Sequence, residues 1–303
     1  MSEPTSLYRA FFGLTEDPFN LSPDPAFLFH SRQHDEALSN LIYGVKARKG
    51  FVVLTGEVGT GKTTMLECLR DHLYEQAVEF AYIFNSRITT EQFFELIAYD
   101  FDLRCNRSSK TEVLMALNEM LLSQAEKGGT AVLIIDEAHN LEWEILEEVR
   151  LLANLENRRG KLLQIILAGQ PEFDSKLDAP KLRQLKQRVV LRTFLSPFSE
   201  HETVEYIDSR LAIAGLVEQT VLPADLIGEI HRRTQGIPRL INAVCDNLLL
   251  TAFADGSKVA TRDMLDAVCD DMRIEWPGRL PRGNRSRFQG GPLEETPTSY
   301  RAD

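Results

Sequence analysis

The sequence predicts a parallel α/β domain followed by a smaller, all-helical domain, and three observations support this prediction. From residue 51 onward, short apolar and β-branched runs alternate with amphipathic segments. A glycine-rich loop joins the first run to the first amphipathic segment, and the β pattern stops after residue 197. Strands that alternate with helices form a parallel sheet with helices on both faces.

The elements follow in order along the chain. Strands are predicted at residues 51–56, 80–85, 131–137, 162–170 and 189–196. Helices are predicted between the strands at residues 62–77, 90–102, 111–126 and 143–157, and after the sheet at residues 200–214, 223–234, 238–253 and 261–272. The strands are apolar on both faces and the helices repeat apolar residues every three or four positions, which are the patterns of a buried sheet and of amphipathic helices.

Four regions result from this organisation. Residues 1–50 form an N-terminal segment rich in Phe and Pro, residues 51–197 the α/β core, and residues 198–275 the helical domain. Residues 276–303 are rich in Pro, Gly, Ser and Arg and carry few apolar side chains, so we expect a disordered tail there.

Composition narrows the classes of function. The 303 residues are 43% hydrophobic and 26% charged, which is typical of a soluble globular protein. The net charge of −11 argues against a broad basic surface for nucleic acid. No signal pattern and no apolar run long enough for a membrane span is present. The cysteines are far apart and lack CxxC spacing, as expected of small core residues in a cytoplasmic protein; they are Cys68, Cys105, Cys245 and Cys269.

The glycine-rich loop "GEVGTGKT" (56–63) matches G-x-x-x-x-G-K-[ST] between a strand and a helix, where this motif binds phosphate. Its backbone N–H groups and the helix N-terminus would face phosphate oxygens. Lys62 would reach the β- and γ-phosphates, and the Thr63 hydroxyl would ligate Mg²⁺. The residues expected to contact nucleotide here are Gly56, Glu57, Val58, Gly59, Thr60, Gly61, Lys62, Thr63 and Thr64.

The stretch "LIIDEAHN" (133–140) places two carboxylates at the carboxyl end of a buried strand. Asp136 would hold the Mg²⁺ shell, and Glu137 would act as general base on the attacking water. The alternative is a pair of solvent-facing carboxylates. His139 completes "DEAH", a string also found in helicases, but a helicase of that kind needs two such domains. We therefore interpret His139 as a local structural residue.

Two polar residues end neighbouring strands. Asn85 in "YIFNSR" is a candidate to hold Glu137 away from water until a partner binds, and the alternative is a strand-end cap. Gln170 in "IILAGQ" is a candidate sensor that contacts the γ-phosphate and orients the water. Its alternative is a turn residue before Pro171.

Three arginines complete the candidate site. Arg188 lies just before the last strand, where an arginine supplied to a neighbouring subunit is expected, and Arg183 is the second candidate for this role. The alternative for both is a solvated basic face. Arg239 falls in the first turn of the helix opened by "GIPR", a poor place for a cation unless it has an anionic partner. A bound phosphate would be that partner.

Together these motifs resemble an AAA+ ATPase with a helical lid. The opening "YRAFFGLTEDPFNLSPDPAFLFHS" (8–31) narrows the resemblance to ExeA-type ATPases of the general secretion pathway, over about Leu7 to Met272. The resemblance implies ATP and Mg²⁺ as cofactors, and a homo-oligomeric ring or filament. It also implies that the N-terminal segment packs on the nucleotide site; a strip that only covers the core is the alternative.

The same resemblance implies a role in envelope export, in general secretion, pilus or exopolysaccharide/exosortase systems. The partner would be a protein of such a system, with cytoplasmic or peripheral inner-membrane location. ExeA itself continues into a membrane span and a peptidoglycan-binding domain, and we expect a short form without them.

Two other functions compete with this one. The first is an AAA+ regulator of DNA transposition, with "NRRGK" (157–161) and the basic run at 181–192 along a DNA path. The acidic net charge makes us expect weak or absent DNA binding. The second is a nucleotide-dependent scaffold, against which intact Lys62, Asp136 and Glu137 count.

Overall fold

The computed structural model describes residues 7–84, 87–158, 160–217 and 220–274. Its strands are β1 (Phe51–Gly56), β2 (Glu79–Ile83), β3 (Ala131–Ile135), β4 (Glu156–Asn157), β5 (Gly160–Lys161), β6 (Leu163–Gly169) and β7 (Val189–Leu195). Five of them form a central parallel sheet in the order β2-β3-β6-β1-β7, and β4 and β5 form a short antiparallel pair. Because all five strands of the large sheet are parallel, their carboxyl ends meet at one edge, where sheets of this kind bind ligands.

The helices lie on both sides of this sheet and beyond its last strand. They are α1 (Arg9–Phe12), α2 (Arg32–Lys46), α3 (Lys62–Glu75), α4 (Thr90–Asp100), α5 (Lys110–Glu126), α6 (Trp143–Leu152), α7 (Glu172–Leu177), α8 (Arg183–Lys186), α9 (Glu200–Ile213), α10 (Ala224–Thr234), α11 (Pro238–Ala254) and α12 (Arg262–Asp271). None of the described helices is long and apolar enough to cross a membrane.

The sheet has a separate core on each face because neighbouring strand residues point in opposite directions. Val53 and Leu133 pack with α4, α5 and α6, in a cluster that includes Phe93. Val52 and Ile134 pack on the other face with α2 and α3. Apolar residues on both faces explain why β3 and β6 are buried along their whole length.

A third core joins the N-terminal segment to the helices after the sheet. Phe12, Phe19 and Phe27 are buried in one cluster with Tyr206 of α9 and Leu248 of α11. The backbone N–H of Thr15 also donates to the carbonyl of Ala214 at 2.9 Å. The chain from residue 13 to residue 31, which we call the strap, therefore packs against the four helices α9 to α12, which we call the lid.

The structure departs from the sequence expectation at several elements, including the short helices α1, α7 and α8, which were not predicted. Residues 32–46 form a helix, α2, which was not predicted because the N-terminal segment was interpreted from its Phe and Pro content. Ser31 caps this helix by accepting a hydrogen bond from the N–H of His34 at 3.3 Å. Helix α6 ends at Leu152 instead of continuing to residue 157, because the chain turns back there as the β4–β5 pair.

Candidate nucleotide-binding site

The glycine-rich loop lies between β1 and α3, as the sequence predicts. Gly59 and Gly61 have positive φ angles of 83° and 98°, a region that residues with a side chain rarely occupy. A β-carbon on Gly59 would also lie 2.8 Å from the Cβ of Arg239. The loop thus needs glycine both for its backbone conformation and for its contact with the lid.

Lys62 is the first residue of α3, and only 6% of it is exposed. Its Nζ donates to the carbonyl oxygens of Gly56 at 2.7 Å and Glu57 at 2.9 Å, so the amine lies under the loop. Burial lowers the pKa of Lys62, while the carboxylates of Glu137 and Asp136 act in the opposite direction. The ammonium group is held where a phosphate chain on the loop would meet it.

Asp136 follows β3 and is 5% exposed. Its Oδ2 accepts hydrogen bonds from the Thr63 hydroxyl at 3.2 Å and the Tyr82 hydroxyl at 3.1 Å, and its Oδ1 accepts from the N–H of Glu137 at 2.8 Å. The hydroxyl of Thr63 and the carboxylate of Asp136 are oxygen donors of the kind that Mg²⁺ prefers, and Mg²⁺ sites with bound phosphates need few protein ligands. The donor set therefore fits this cation.

Glu137 lines the cleft above the loop and has a left-handed backbone conformation, with φ of 52°. Such a conformation is uncommon outside glycine and is found at functional sites. Its Oε2 lies 3.2 Å from the Nδ1 of His139, and the same nitrogen lies 3.3 Å from the N–H of Gln170. His139 is therefore a local contact between the Glu137 carboxylate and the end of β6.

Outside the lid, the other predicted site residues either do not line the cleft or lie outside the described residues. Gln170 immediately follows β6, and its backbone N–H donates to the Nδ1 of His139 that also lies beside the Glu137 carboxylate. Arg188 precedes β7, donates to the carbonyl of Arg150 at 3.3 Å and is not among the residues that line the cleft. Arg183 begins α8 and is likewise not among the residues that line the cleft. Asn85 lies outside the described residues.

The strap and the lid close the other side of the cleft. The lining residues there are Asn20, Leu21, Ser22, Pro23, Asp24, Phe27, Leu28, Phe29, Phe198, Tyr206, Arg210, Pro238, Arg239 and Asn242. Arg239, the predicted lid arginine, lies in the first turn of α11, and its backbone N–H donates to the carbonyl of Gly59 at 3.2 Å. The loop and the lid arginine therefore contact each other directly.

A buried polar network that the sequence analysis missed fastens the strap to the lid. Arg210 donates through Nε to the carbonyl of Pro18 and through Nη1 to the Tyr206 hydroxyl at 2.9 Å. The Tyr206 hydroxyl donates to Asn242 Oδ1 at 2.8 Å, and Asn242 Nδ2 donates to the carbonyl of Asn20 at 3.3 Å. The available signal was one arginine at helical spacing among the buried residues of α9, where a charged side chain needs a partner.

His34 of α2 was also missed, and it supports the loop from below. It is 4% exposed; its Nε2 lies 3.2 Å from the carbonyl oxygen of Thr60 and its Nδ1 lies 2.7 Å from the hydroxyl of Ser31. Burial lowers the pKa of His34, which favours the neutral ring. A neutral ring that donates through Nε2 and accepts at Nδ1 matches both contacts.

Sequence comparison relates this chain to known proteins. Residues 45–177 match the family model described as the AAA domain. The chain is 44% identical over 292 residues to general secretion pathway protein A of Aeromonas hydrophila, which covers 96% of this chain and 53% of that protein.

Solved structures share the fold at low identity. Cdc6p of Pyrobaculum aerophilum is 20% identical with a TM-score of 0.67, covering 85% of this chain and 71% of that one. The Aeropyrum pernix ORC2 protein, solved as ADPNP–ADP complexes, is 14% identical with a TM-score of 0.62, covering 82% of this chain and 72% of that one. RuvB of Thermotoga maritima is 15% identical with a TM-score of 0.52, covering 81% of this chain and 70% of that one.

The fold and the cleft define an AAA+ protein of the P-loop NTPase class, with a helical region after its parallel sheet. Within that class, the chain belongs to the family of general secretion pathway protein A, which confirms the resemblance carried by its N-terminal segment. The chain spans about half the length (53%) of the curated relative it matches.

Proposed function

We propose that this chain binds ATP with Mg²⁺ and hydrolyses it in an oligomer. The observation that supports this best is the convergence, on one cleft, of the loop lysine, the Thr63–Asp136 pair and Glu137. An NTPase that only switches often lacks a glutamate after the strand-end aspartate, so Glu137 favours turnover.

Each residue has a distinct part in this proposal. When bound, Mg²⁺ would neutralise charge on the transferred phosphoryl group. The Thr63 hydroxyl and the Asp136 carboxylate hold that cation, and Lys62 and the loop N–H groups bind the phosphate oxygens. Glu137 accepts the proton of the attacking water. Gln170, next to His139, orients that water, and Asn85 holds Glu137 until a partner binds.

The lid side would sense the nucleotide. Arg239 contacts the loop through its backbone and lines the cleft, which supports the proposal that its guanidinium meets phosphate. The strap aromatics and Leu28 cover the base. Adenine nucleotides in the ORC2 structure of the same fold are consistent with this choice of ligand.

We further propose that Arg188 completes the site of a neighbouring subunit, with Arg183 as the second candidate. The Arg188 side chain contacts the end of α6 and lies outside its own cleft, which suits a residue that acts on another copy. An arginine supplied in this way stabilises charge in the transition state and makes hydrolysis depend on assembly.

The cellular role is proposed from the relative's name. A protein of the general secretion pathway suggests that this chain drives or switches the assembly of an envelope-export system, with a protein of that system as partner. We place it in the cytoplasm, peripherally at the inner membrane. A transposition regulator remains the second candidate, and a nucleotide-dependent scaffold the third.

The proposal is tested by steady-state phosphate release from ATP, with Mg²⁺ or with EDTA. Wild type should hydrolyse ATP only with Mg²⁺, and Lys62→Ala should neither bind a fluorescent ATP analogue nor release phosphate. Binding of the analogue without any turnover, across the range of protein concentrations, would favour the scaffold instead.

The subunit arrangement is tested by mixing two inactive variants. Arg188→Ala keeps an intact cleft and Lys62→Ala keeps an intact arginine, so a mixture should regain activity that neither variant has alone. A mixture that stays inactive while the two variants co-assemble would contradict the role of Arg188. Equal activity per subunit in dilute monomeric wild type would contradict it as well.

A further inference from the structure

Tyr82 of β2 reaches the aspartate of the neighbouring strand. Tyr82 pairs in register with Ile134 of β3, two residues before Asp136. Its hydroxyl lies 3.1 Å from Asp136 Oδ2, the same oxygen that accepts the Thr63 hydroxyl at 3.2 Å. The carboxylate of Asp136 therefore has a second hydroxyl donor on the oxygen that faces Thr63.

The Tyr82 ring is held in place by α3, the helix that begins beside Thr63. The guanidinium of Arg70 lies 4.7 Å from the centroid of the Tyr82 ring, a cation–π distance. Arg70 is itself fixed by Glu67, since its Nη1 lies 2.7 Å from each carboxylate oxygen. A tyrosine phenol keeps its proton at neutral pH, so the Tyr82 hydroxyl can donate a hydrogen bond.

We infer that Tyr82 is a positioning residue for the divalent cation: its hydroxyl fixes the Asp136 carboxylate in the orientation that pairs with Thr63. This inference rests on the proposed Mg²⁺–ATP function. A carboxylate with one donor on each oxygen retains some freedom to tilt, and a second donor on Oδ2 removes it. Residues that orient a metal ligand without touching the metal usually matter for metal affinity more than for the shape of the site.

The test is Tyr82→Phe, which removes one oxygen and keeps the ring. The measured quantity is the affinity for a fluorescent, non-hydrolysable ATP analogue with saturating Mg²⁺ and with EDTA. We expect the gain in affinity that Mg²⁺ gives to fall about tenfold, the lower end of the effect of removing an outer-shell partner. The affinity in EDTA should stay near that of wild type. Tyr74→Phe, at an 82% exposed tyrosine of α3, is the matched control and should leave both affinities unchanged.

Two further variants separate positioning from packing. Arg70→Met frees the Tyr82 ring but keeps its hydroxyl, so it should reduce the Mg²⁺ gain in the same direction by a smaller factor. In an Asp136→Asn background, Tyr82→Phe should have no additional effect, because its only route to the cation is gone.

The outcomes are distinct. If Mg²⁺ increases the affinity of Tyr82→Phe for the analogue as much as it increases that of wild type, the inference is overturned. A loss of affinity that is the same in EDTA and in Mg²⁺ also overturns it, since that would show a packing role. If wild type itself binds the analogue without any Mg²⁺ gain, the proposed function fails at its cation step, and the inference fails with it.

Discussion

The two sides of the cleft are built in different ways. The phosphate side consists of one contiguous loop after β1 and the residues that follow β3. Under the proposed function, its backbone groups and the side chains of Lys62, Thr63, Asp136 and Glu137 would bind the nucleotide or act on it. The base side joins the strap to the lid through residues far apart in sequence, such as Pro18 with Arg210 and Asn20 with Asn242, which are separated by 192 and 222 positions.

The two sides of the cleft therefore differ in the role we propose for them: one carries the groups for hydrolysis and the other covers the nucleotide. On the phosphate side, the two carboxylates follow a buried strand at the carboxyl edge of the sheet, where small displacements would be costly for the proposed hydrolysis. On the base side, strap and lid share one core and one polar network, so they form a single unit that contacts the sheet domain at the loop. Changes on the first side should therefore alter turnover, and changes on the second should alter affinity and stability.

The largest expected effect is on the phosphate side. Glu137→Gln removes the proton acceptor but keeps the size and polarity of the side chain. Turnover should fall at least about 100-fold, the low end of the usual contribution of a general base. Affinity for the fluorescent ATP analogue should stay close to that of wild type. Phosphate release at saturating ATP measures the first quantity and a fluorescence titration the second.

Glu172 offers a control for this prediction, because it lies close enough to act electrostatically on Lys62 but is not among the residues lining the cleft. Glu172→Gln should keep most of the wild-type turnover. Unchanged turnover in Glu137→Gln would remove its assigned role. A parallel loss of nucleotide affinity would show that the two sides are less separate than their construction indicates.

The next effect is on the base side. Arg210→Met keeps the apolar stem of the side chain but leaves the Pro18 carbonyl and the Tyr206 hydroxyl without their donor. A buried polar group without its partner costs about 1–3 kcal/mol. We expect a lower melting temperature and a roughly tenfold loss of ATP affinity, corresponding to about 1.4 kcal/mol, with turnover at saturation little changed.

Thermal unfolding and the same fluorescence titration measure these quantities. Tyr206→Phe removes the hydroxyl that joins Arg210 to Asn242 and should act in the same direction with a smaller effect. Arg262→Met, at a lid arginine whose side chain is 66% exposed, is the control. If Arg210→Met lowered turnover at saturation and left affinity intact, the division between the two sides would be wrong.

The same contrast explains how far the sequence could predict the molecule. The positions of the five sheet strands along the chain, the loop and the strand-end carboxylates follow from local patterns, and the structure has them where they were expected, whereas the order of the strands in the sheet was not predicted. Tyr82 and Arg210 were missed because each acts through a contact with a residue far away in sequence, Asp136 and Pro18 respectively. From the sequence alone, a tyrosine in a strand is interpreted as a packing residue. Helix α2 was missed because the neighbouring prolines dominated the interpretation of the N-terminal segment.

His34 contacts both the loop and Phe198, and we expect it to have a smaller, pH-dependent effect on stability. Its ring is 5.3 Å from the ring of Phe198, centroid to centroid, and its Nε2 contacts the loop at Thr60. Burial lowers its pKa in the folded state, against the weaker opposing effect of the Thr60 carbonyl, Glu202 and Asp35. The unfolded chain then binds a proton more readily than the folded protein does.

The stabilisation from neutral His34 is therefore fully present above the unfolded pKa of about 6.5 and is lost as pH falls through the lowered folded pKa. Wild type should lose more melting temperature than His34→Gln between about pH 7.5 and pH 5.5. The two losses would be equal if another group caused the acid sensitivity, and that result would contradict the prediction.

The smallest expected effect is that of duplex DNA, and it decides between the export and transposition proposals. A DNA path would need free cations on the basic run at residues 181–192. In the structure the Lys181 ammonium lies over the Trp143 ring, and Lys186 and Arg192 each pair with an aspartate, Asp178 and Asp174. These contacts reduce the positive potential of the run, in which Arg183 stays exposed, and the net charge of −11 further opposes phosphate binding.

We therefore expect weak duplex binding at about 150 mM salt, with no stimulation of ATP hydrolysis. Any residual binding should vanish when residues 276–303 are removed, because that stretch carries four arginines in nine positions, from Arg279 to Arg287, and short basic segments bind polyanions without specificity. Titrating full-length and truncated protein with duplex DNA, in the presence of ATP and Mg²⁺, measures both points.

Affinity that falls steeply with salt in the full-length protein alone would agree with a non-specific basic tail. Tight binding that survives truncation and stimulates ATP hydrolysis would instead require a DNA surface on the folded domains. The transposition role would then replace the export role, while the division of labour between the two sides of the cleft would stand.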